Sequence, residues 1–191
     1  MPTPIASPSP TVAPAPSAAG EIDTLDLDRA LLPRDVVGSG WFRSATRSAT
    51  ADLTFVDPCG RQPLTTIGEA RFQELRDSTQ PSTTPWILQA IGRFEPFRAQ
   101  AFIQDALDRC PSFEYQQWSL GDDSARLSLE DEGIPVDSVQ EYVVLVRRQD
   151  WIMMLILDSY PGRVKFDPAE VARISEIADE RFERLLAGEP N

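Results

Sequence analysis

The sequence predicts a single α+β domain, in which an antiparallel β-sheet is flanked by two main helices, with a disordered Pro-rich spacer in front of it. Residues 95–109 and 167–188 repeat apolar residues at three- and four-residue steps, which is typical of helices with one buried face. Several shorter segments read as strands between turn residues. Residues 1–20 are rich in proline, alanine, serine and threonine and carry no charge, so they predict an extended spacer; residues 21–191 form the folded domain.

The first elements of the folded domain are predicted to be short. Residues 26–32 favour a helix that ends at Pro33. Gly38-Ser39-Gly40 predicts a turn that leads into Trp41, and residues 52–56 predict a strand.

Residues 65–78 allow two interpretations. Thr66 and Glu69 have the spacing of a capping box, which favours a short helix. The segment from Ala70 onward also matches residues 86–94 as a partner strand across a loop of Ser, Thr and Pro. We favour the second interpretation, a β-hairpin.

Further strands are predicted after the helix at residues 95–109. Residues 113–118 form one strand, and residues 124–129, with apolar residues at alternate positions, form the next. Residues 142–146 and 151–157 are apolar on both faces, so we expect them at the centre of the sheet. Four residues, Arg147 to Asp150, join them as a hairpin.

The last helix has recognisable signals at both ends. Asp167 can cap it, Pro168 suits its first turn, and Glu170 completes an Asp-x-x-Glu start. Gly188 marks its end.

The chain has no histidine and two cysteines. Catalysis by Ser-His-Asp or Cys-His groups therefore lacks its base, and two cysteines supply half of a structural zinc site. The densest acidic clusters, Asp122-Asp123 and Glu130-Asp131-Glu132, are typical of solvated turns. Nothing in their spacing brings two carboxylates together for glycoside hydrolysis, and the calcium-loop pattern is absent. The sequence predicts a non-catalytic protein with no cofactor and no metal site.

The two cysteines, Cys59 and Cys110, favour a structural disulfide. One follows a predicted strand and the other lies at the end of a predicted helix. A bond between them would close a loop of roughly fifty residues and stabilise the fold by roughly 4 kcal/mol in the chain-entropy model. The alternative is a pair of buried thiols in a reducing compartment.

Charge and hydropathy exclude several partners. The net charge of −12 falls entirely outside residues 1–20, so the domain repels nucleic acid and anionic lipid. The longest apolar run, residues 151–157, is far shorter than the ~20 residues of a membrane-spanning helix. Neither a basic nor an apolar signal-peptide region opens the sequence, so we expect any export signal or membrane anchor upstream of it.

The four tryptophans are interpreted as core residues rather than as the lining of a ligand pocket, because each lies in or beside a predicted strand and aromatic residues dominate interior packing. They are Trp41, Trp86, Trp118 and Trp151.

Several short motifs resemble a known family. In chain order they are Leu31-Leu32-Pro33 with Gly40-Trp41, Cys59, Ala70-Arg71-Phe72, Gln89-Ala90-Ile91-Gly92-Arg93-Phe94, Cys110, Gly121-Asp122-Asp123-Ser124, and residues 143–147 with a hairpin into Trp151. Over residues 26–187 this pattern resembles the PknH-like extracytoplasmic sensor domains of actinobacteria and related free-standing lipoproteins. One departure is Gln149, where we expect glycine; a non-glycine residue there requires an unusual φ.

The resemblance implies a helix-flanked antiparallel sheet outside the cell, a groove for an unidentified small-molecule or envelope ligand, and a disulfide between Cys59 and Cys110. It carries over no catalytic residue. We therefore expect a non-catalytic extracytoplasmic sensor or ligand-binding domain, held at the cell surface through an anchor outside these residues. Two alternatives are a carrier of lipid-like molecules in the cell envelope and an adaptor that recruits another protein through its acidic surface.

Overall fold

A computed structural model of the chain describes residues 26–50, 54–56, 63–77, 86–109, 114–130, 140–159 and 166–189. The strands are β1 (Trp41–Thr50), β2 (Thr54–Val56), β3 (Pro63–Thr65), β4 (Glu69–Asp77), β5 (Trp86–Arg93), β6 (Glu114–Gln117), β7 (Asp123–Glu130), β8 (Gln140–Arg148) and β9 (Trp151–Ser159). The helical elements are a 3-10 turn (Leu27–Ala30), α1 (Arg34–Val37), α2 (Pro96–Arg109) and α3 (Pro168–Leu186).

Seven of the strands form one antiparallel sheet in the order β1-β4-β5-β9-β8-β7-β6, and β2 pairs with β3. The predicted α+β class, with helices on an antiparallel sheet, is confirmed. So is the central position of the β8–β9 hairpin, whose strands are buried on both faces. The hairpin interpretation of residues 65–78 is confirmed as well, since β4 pairs with β5.

The prediction was incomplete at the start of the domain. The expected helix over residues 26–32 is a 3-10 turn, and α1 begins directly after Pro33. The turn predicted at residues 38–40 leads into Trp41, but no bounds were predicted for a strand there; residues 41–50 form β1. β1 lies at the edge of the sheet and pairs with β4 alone, so it needs no continuous apolar pattern. β3, three residues long, was also missed.

The helices cover opposite faces of the sheet, and two apolar clusters result. The side of the sheet under α3 also holds the 3-10 turn and α1; its largest fully buried side chains include Leu31, Leu32, Leu75, Ile87, Ile91, Met153 and Phe182. The other side lies under α2 and includes Ala90, Phe94, Phe102, Ile103, Leu127, Val143, Leu145 and Ile152. Asp167 caps α3 as predicted, accepting from the Ala169 N–H at 2.7 Å.

Two buried glutamines fasten the first described segment to the α3 side of the sheet. The side chain of Gln89 donates to the carbonyl of Ala30 at 3.1 Å and accepts from the N–H of Leu32 at 2.7 Å. Gln73 donates to the carbonyl of Leu32 at 3.1 Å and to Gln89 Oε1 at 2.8 Å. Arg181 of α3 donates to the carbonyl of Leu31 at 2.9 Å. Because buried backbone groups must be paired, these contacts let a chain segment without a strand partner lie in the core.

The β8–β9 turn has the backbone conformation that the sequence required. Gln149 has a φ of 56°, which favours glycine. Contacts on both sides hold the turn in place: the Gln149 N–H donates to Asp122 Oδ2 at 2.6 Å, and Asp150 pairs with Arg93 at 2.6 Å. Such contacts are what keeps an unfavourable φ in a folded protein.

Two predictions lie outside the described residues: the Pro-rich spacer at residues 1–20 and the disulfide between Cys59 and Cys110. The disulfide and the spacer therefore remain predictions. Within the part of the chain that the structure describes, none of the helices has the length and the apolar character needed to span a bilayer.

Candidate functional site

A group of charged side chains lies where the β8–β9 turn meets the last turns of α3. We call it the turn cluster; it consists of Asp122, Arg147, Arg148, Asp179 and Glu183. Arg148 contacts both carboxylate oxygens of Asp179 at 2.8 Å and Glu183 at 3.0 Å. The hydrogen bond with Asp179 raises the pKa of Arg148. Asp122 contacts Arg147 at 3.5 Å. Asp179, only 5% exposed, also accepts from the Gly121 N–H at 3.2 Å.

A cavity of about 210 Å³ lies beside the turn cluster, lined by Asp122, Arg148, Gln149, Glu183, Leu186 and Ala187. Its charged side chains bind one another or the turn backbone, so none of them needs a ligand to be satisfied. Gly121, with a φ of 58°, fits under the turn because a Cβ there would lie 2.4 Å from the carbonyl oxygen of Arg147. The turn cluster fastens α3 to the sheet, and we assign it a structural role.

A different arrangement lies on the α2 side of the sheet, at the other end of the central strands. On this side of the sheet, α2 makes its main contacts with β7 and β8. Six half-buried residues of β4, β5, β9 and β8 share this side, and we call them the Trp86 patch: Phe72, Trp86, Leu88, Glu141, Ile156 and Asp158.

Strand register brings the polar members of the Trp86 patch together. Asp158 of β9 lies directly opposite Trp86 of β5 on one side and Glu141 of β8 on the other. Directly opposite residues of antiparallel strands have Cβ atoms about 4.5–5.5 Å apart. In the next row, Leu88 lies opposite Ile156, so an apolar floor borders the carboxylates.

Among the described residues, no positive charge pairs with the two carboxylates of the Trp86 patch. Burial raises the pKa of Glu141, and the charge of Asp158 raises it further. Burial also raises the pKa of Asp158, and a hydrogen bond with Trp86 acts in the opposite direction. The Oδ1 atom of Asp158 is buried without a hydrogen-bond partner. No arginine of the described ranges forms an ion pair with either group.

The arginine closest in register is already engaged. Arg76 of β4 lies opposite Trp86, in the row that contains Asp158. It forms an ion pair with Glu74, which also accepts from Ser44 Oγ at 2.7 Å. Like charges directly opposite each other destabilise a sheet, so the Trp86 patch carries a local cost, which the hydrogen bond between Trp86 and Asp158 opposes.

The acidic clusters considered from the sequence are not the ones that meet across the sheet. Asp122 belongs to the turn cluster and Glu130 ends β7, while Asp131 and Glu132 lie outside the described residues. The pair that does meet, Glu141 and Asp158, was missed. Across the described ranges no group of three potential metal ligands occurs.

A signal for that pair is present in the sequence. Once the β8–β9 hairpin is closed at its turn, each residue of β8 has a fixed partner on β9, and Glu141 falls opposite Asp158. The central hairpin was predicted, but the pairing of individual residues far from its turn was not.

The interpretation of the tryptophans as core residues fits three of the four positions. Trp151 is 3% exposed, and Trp41 and Trp118 pack, partly buried, against the cluster under α3. Trp86 is the exception, because it lies in the half-buried patch beside Asp158.

The helix-flanked antiparallel sheet has a counterpart among solved structures. The fold is similar to that of the extracellular domain of PknH from Mycobacterium tuberculosis, with a TM-score of 0.54 and 12% sequence identity, over 84% of this chain and 94% of that chain. At this identity the likeness shows the fold alone. No protein-family model matches the chain, and no curated protein matches it either.

Proposed function

We propose that the chain is a non-catalytic extracytoplasmic sensor domain that binds a small-molecule or envelope ligand on the Trp86 patch. One observation carries the proposal: a half-buried tryptophan, an apolar floor and two carboxylates without an ion-pair partner among the described residues converge on one face of the central strands. The similarity of the fold to the extracellular domain of PknH supports the extracytoplasmic assignment.

The Trp86 patch has the composition of a binding surface. Ligand sites combine apolar and aromatic walls with a few polar groups that orient the ligand. Trp86, Leu88 and Ile156 supply the wall, and Asp158 and Glu141 supply the polar groups. A ligand group that bonds to the carboxylate of Asp158 or Glu141 would recover part of the free energy that burial of these groups costs.

One feature of the sequence supports a binding role rather than catalysis. The chain has no histidine, the side chain that most often serves as a general acid or base near neutral pH.

A thermal-shift screen of envelope-derived small molecules and glycans tests this function. A ligand present at about a hundred times its Kd stabilises its protein by about 2.7 kcal/mol. We expect such a ligand to raise the Tm of the wild type and of the control Trp118→Ala, but not of Trp86→Ala.

Three outcomes of the screen would contradict the proposal. An equal shift in Trp86→Ala would place the ligand outside the patch, and no shift with any compound would remove the binding role. Hydrolysis of a bound glycan that Glu141→Gln abolishes would make the protein an enzyme.

The lipid-carrier alternative makes a different prediction. An acyl chain needs a long apolar cavity, and the cavity beside the turn cluster is bordered by Asp122, Arg148 and Glu183. Native mass spectrometry of the purified protein distinguishes the two functions, since a carrier retains co-purifying lipid and a sensor of a polar ligand does not.

A further inference from the structure

The charges around the Trp86 patch restrict the ligand that it can bind. Glu141 and Asp158 face each other across β8 and β9. On β4, the charged residues of the same side are Arg76 and Glu74, which pair with each other. An anionic ligand would add a third negative charge beside the two carboxylates, and the arginine nearest to them in register, Arg76, is already paired with Glu74.

A positively charged ligand meets two favourable groups at once. The carboxylates of Glu141 and Asp158 attract it, and the indole of Trp86, which lies opposite Asp158 on the next strand, supplies an aromatic surface beside them. Cations are attracted to aromatic rings, and to tryptophan most of all. A hard metal ion fits less well, because calcium takes six to eight oxygen ligands and this face supplies two carboxylates beside an indole and two aliphatic side chains.

We propose that the Trp86 patch binds an organic cation, with its ammonium or guanidinium group against the carboxylates of Asp158 and Glu141 and beside Trp86. The apolar body of the ligand lies against Leu88 and Ile156, in the adjoining row of the sheet. This inference rests on the proposed function and names the chemical class of its ligand.

Isothermal titration near neutral pH and at low salt tests the inference with n-hexylammonium chloride. Neutral n-hexanol and anionic n-hexanoate share the hydrocarbon chain and serve as matched probes. We expect n-hexylammonium to bind at least about tenfold more tightly than either, which corresponds to about 1.4 kcal/mol. Added salt should weaken its binding, since it screens the attraction.

Variants locate the site of the cation. Glu141→Gln and Asp158→Asn should each weaken n-hexylammonium binding about tenfold. Glu176→Gln, on the exposed side of α3, removes the same charge far from the patch and should bind as the wild type does. All three variants should fold, which circular dichroism checks, since the first two remove a like-charge contact.

The outcomes separate this inference from the broader function. Binding of n-hexanol or n-hexanoate as tight as that of n-hexylammonium, but lost in Trp86→Ala, would overturn the cation and keep the patch as a ligand site. Unchanged n-hexylammonium binding in Glu141→Gln and Asp158→Asn would overturn the inference. The inference would also be overturned if n-hexylammonium did not bind at all, or if calcium bound and Asp158→Asn abolished its binding. In these cases the ligand screen alone would test the proposed function.

Discussion

The two faces of the central sheet pair their charged groups differently. On the α3 side, Arg148 and Asp179 bond to each other, although two neutral groups there, Gln73 Oε1 and Trp151 Nε1, are buried without a hydrogen-bond partner. On the α2 side, Glu141 and Asp158 stand opposite each other, and neither forms an ion pair with an arginine of the described ranges. The same strands, β8 and β9, contribute to both faces.

This difference separates residues that maintain the fold from residues that are available for binding. A buried polar group that is fully paired adds specificity to a core and leaves nothing for a ligand. A half-buried carboxylate next to another carboxylate costs stability, and a ligand can remove that cost. The comparison assigns structure to the α3 side and binding to the Trp86 patch.

The largest expected contrast concerns apolar truncation on the two faces. Phe182→Ala, under α3 and 0% exposed, should lower the free energy of unfolding by about 3–5 kcal/mol, because it leaves a cavity in a closed core. Leu88→Ala, in the half-buried patch, should cost only about 1 kcal/mol. Urea denaturation measures both. Equal costs would mean that the patch is as closed as the α3 side.

A smaller contrast is expected within the turn cluster. Asp179 is 5% exposed and paired with Arg148. Asp179→Asn removes its charge and should lower the free energy of unfolding by about 2 kcal/mol. Glu183→Gln removes a partner of the same Arg148 whose side chain is 61% exposed, so we expect a change below about 0.5 kcal/mol. Denaturation in urea compares the two variants. A large loss of stability in Glu183→Gln, with none in Asp179→Asn, would show that the exposed Arg148–Glu183 pair stabilises the turn cluster and that the Arg148–Asp179 pair does not.

The smallest effect should have the opposite sign and depend on pH. Because the folded protein holds the protons of Glu141 and Asp158 more tightly than the unfolded chain does, the contribution of the pair is present at acid pH and is lost as pH rises from about 4 through their raised pKa values. Glu141→Gln and Asp158→Asn should flatten this fall and be at least as stable as the wild type at neutral pH.

The measurement is the free energy of unfolding of wild type and variants between about pH 4 and about pH 8. Glu176→Gln, which changes an exposed carboxylate, serves as the control and should keep the slope of the wild type. Parallel curves for all the variants would show that the two carboxylates do not interact, and would remove the electrostatic basis of the cation site.

Much of the fold could be predicted because the signals were local. The apolar stripe and end signals of α3 lie within its own residues, and β8 and β9 are continuous apolar runs around a short turn. The positive φ of Gln149 agrees with the glycine that the family resemblance implies at this position. β1 could not be predicted in the same way, since an edge strand with small polar residues carries no apolar pattern.

The candidate site was harder to predict because its residues come from four strands. Trp86 and Asp158 are far apart in sequence and meet only where β5 pairs with β9. The sequence pointed instead to runs of adjacent acids, and Asp122 from one of them forms ion-pair and backbone contacts that fasten a turn. Adjacent residues of a strand point to opposite faces, so density of charge along the chain says little about density at a site.

The amino-acid sequence by itself determined the α+β class, the central hairpin, the two main helices and the absence of any histidine-based chemistry. These depend on periodicity and composition, which are properties of short segments. The tertiary structure alone decided which face each helix covers, which charges find partners, and that Glu141, Asp158 and Trp86 share a surface. Those outcomes depend on strand order and register, and pairing between distant strands is a property of the whole sheet.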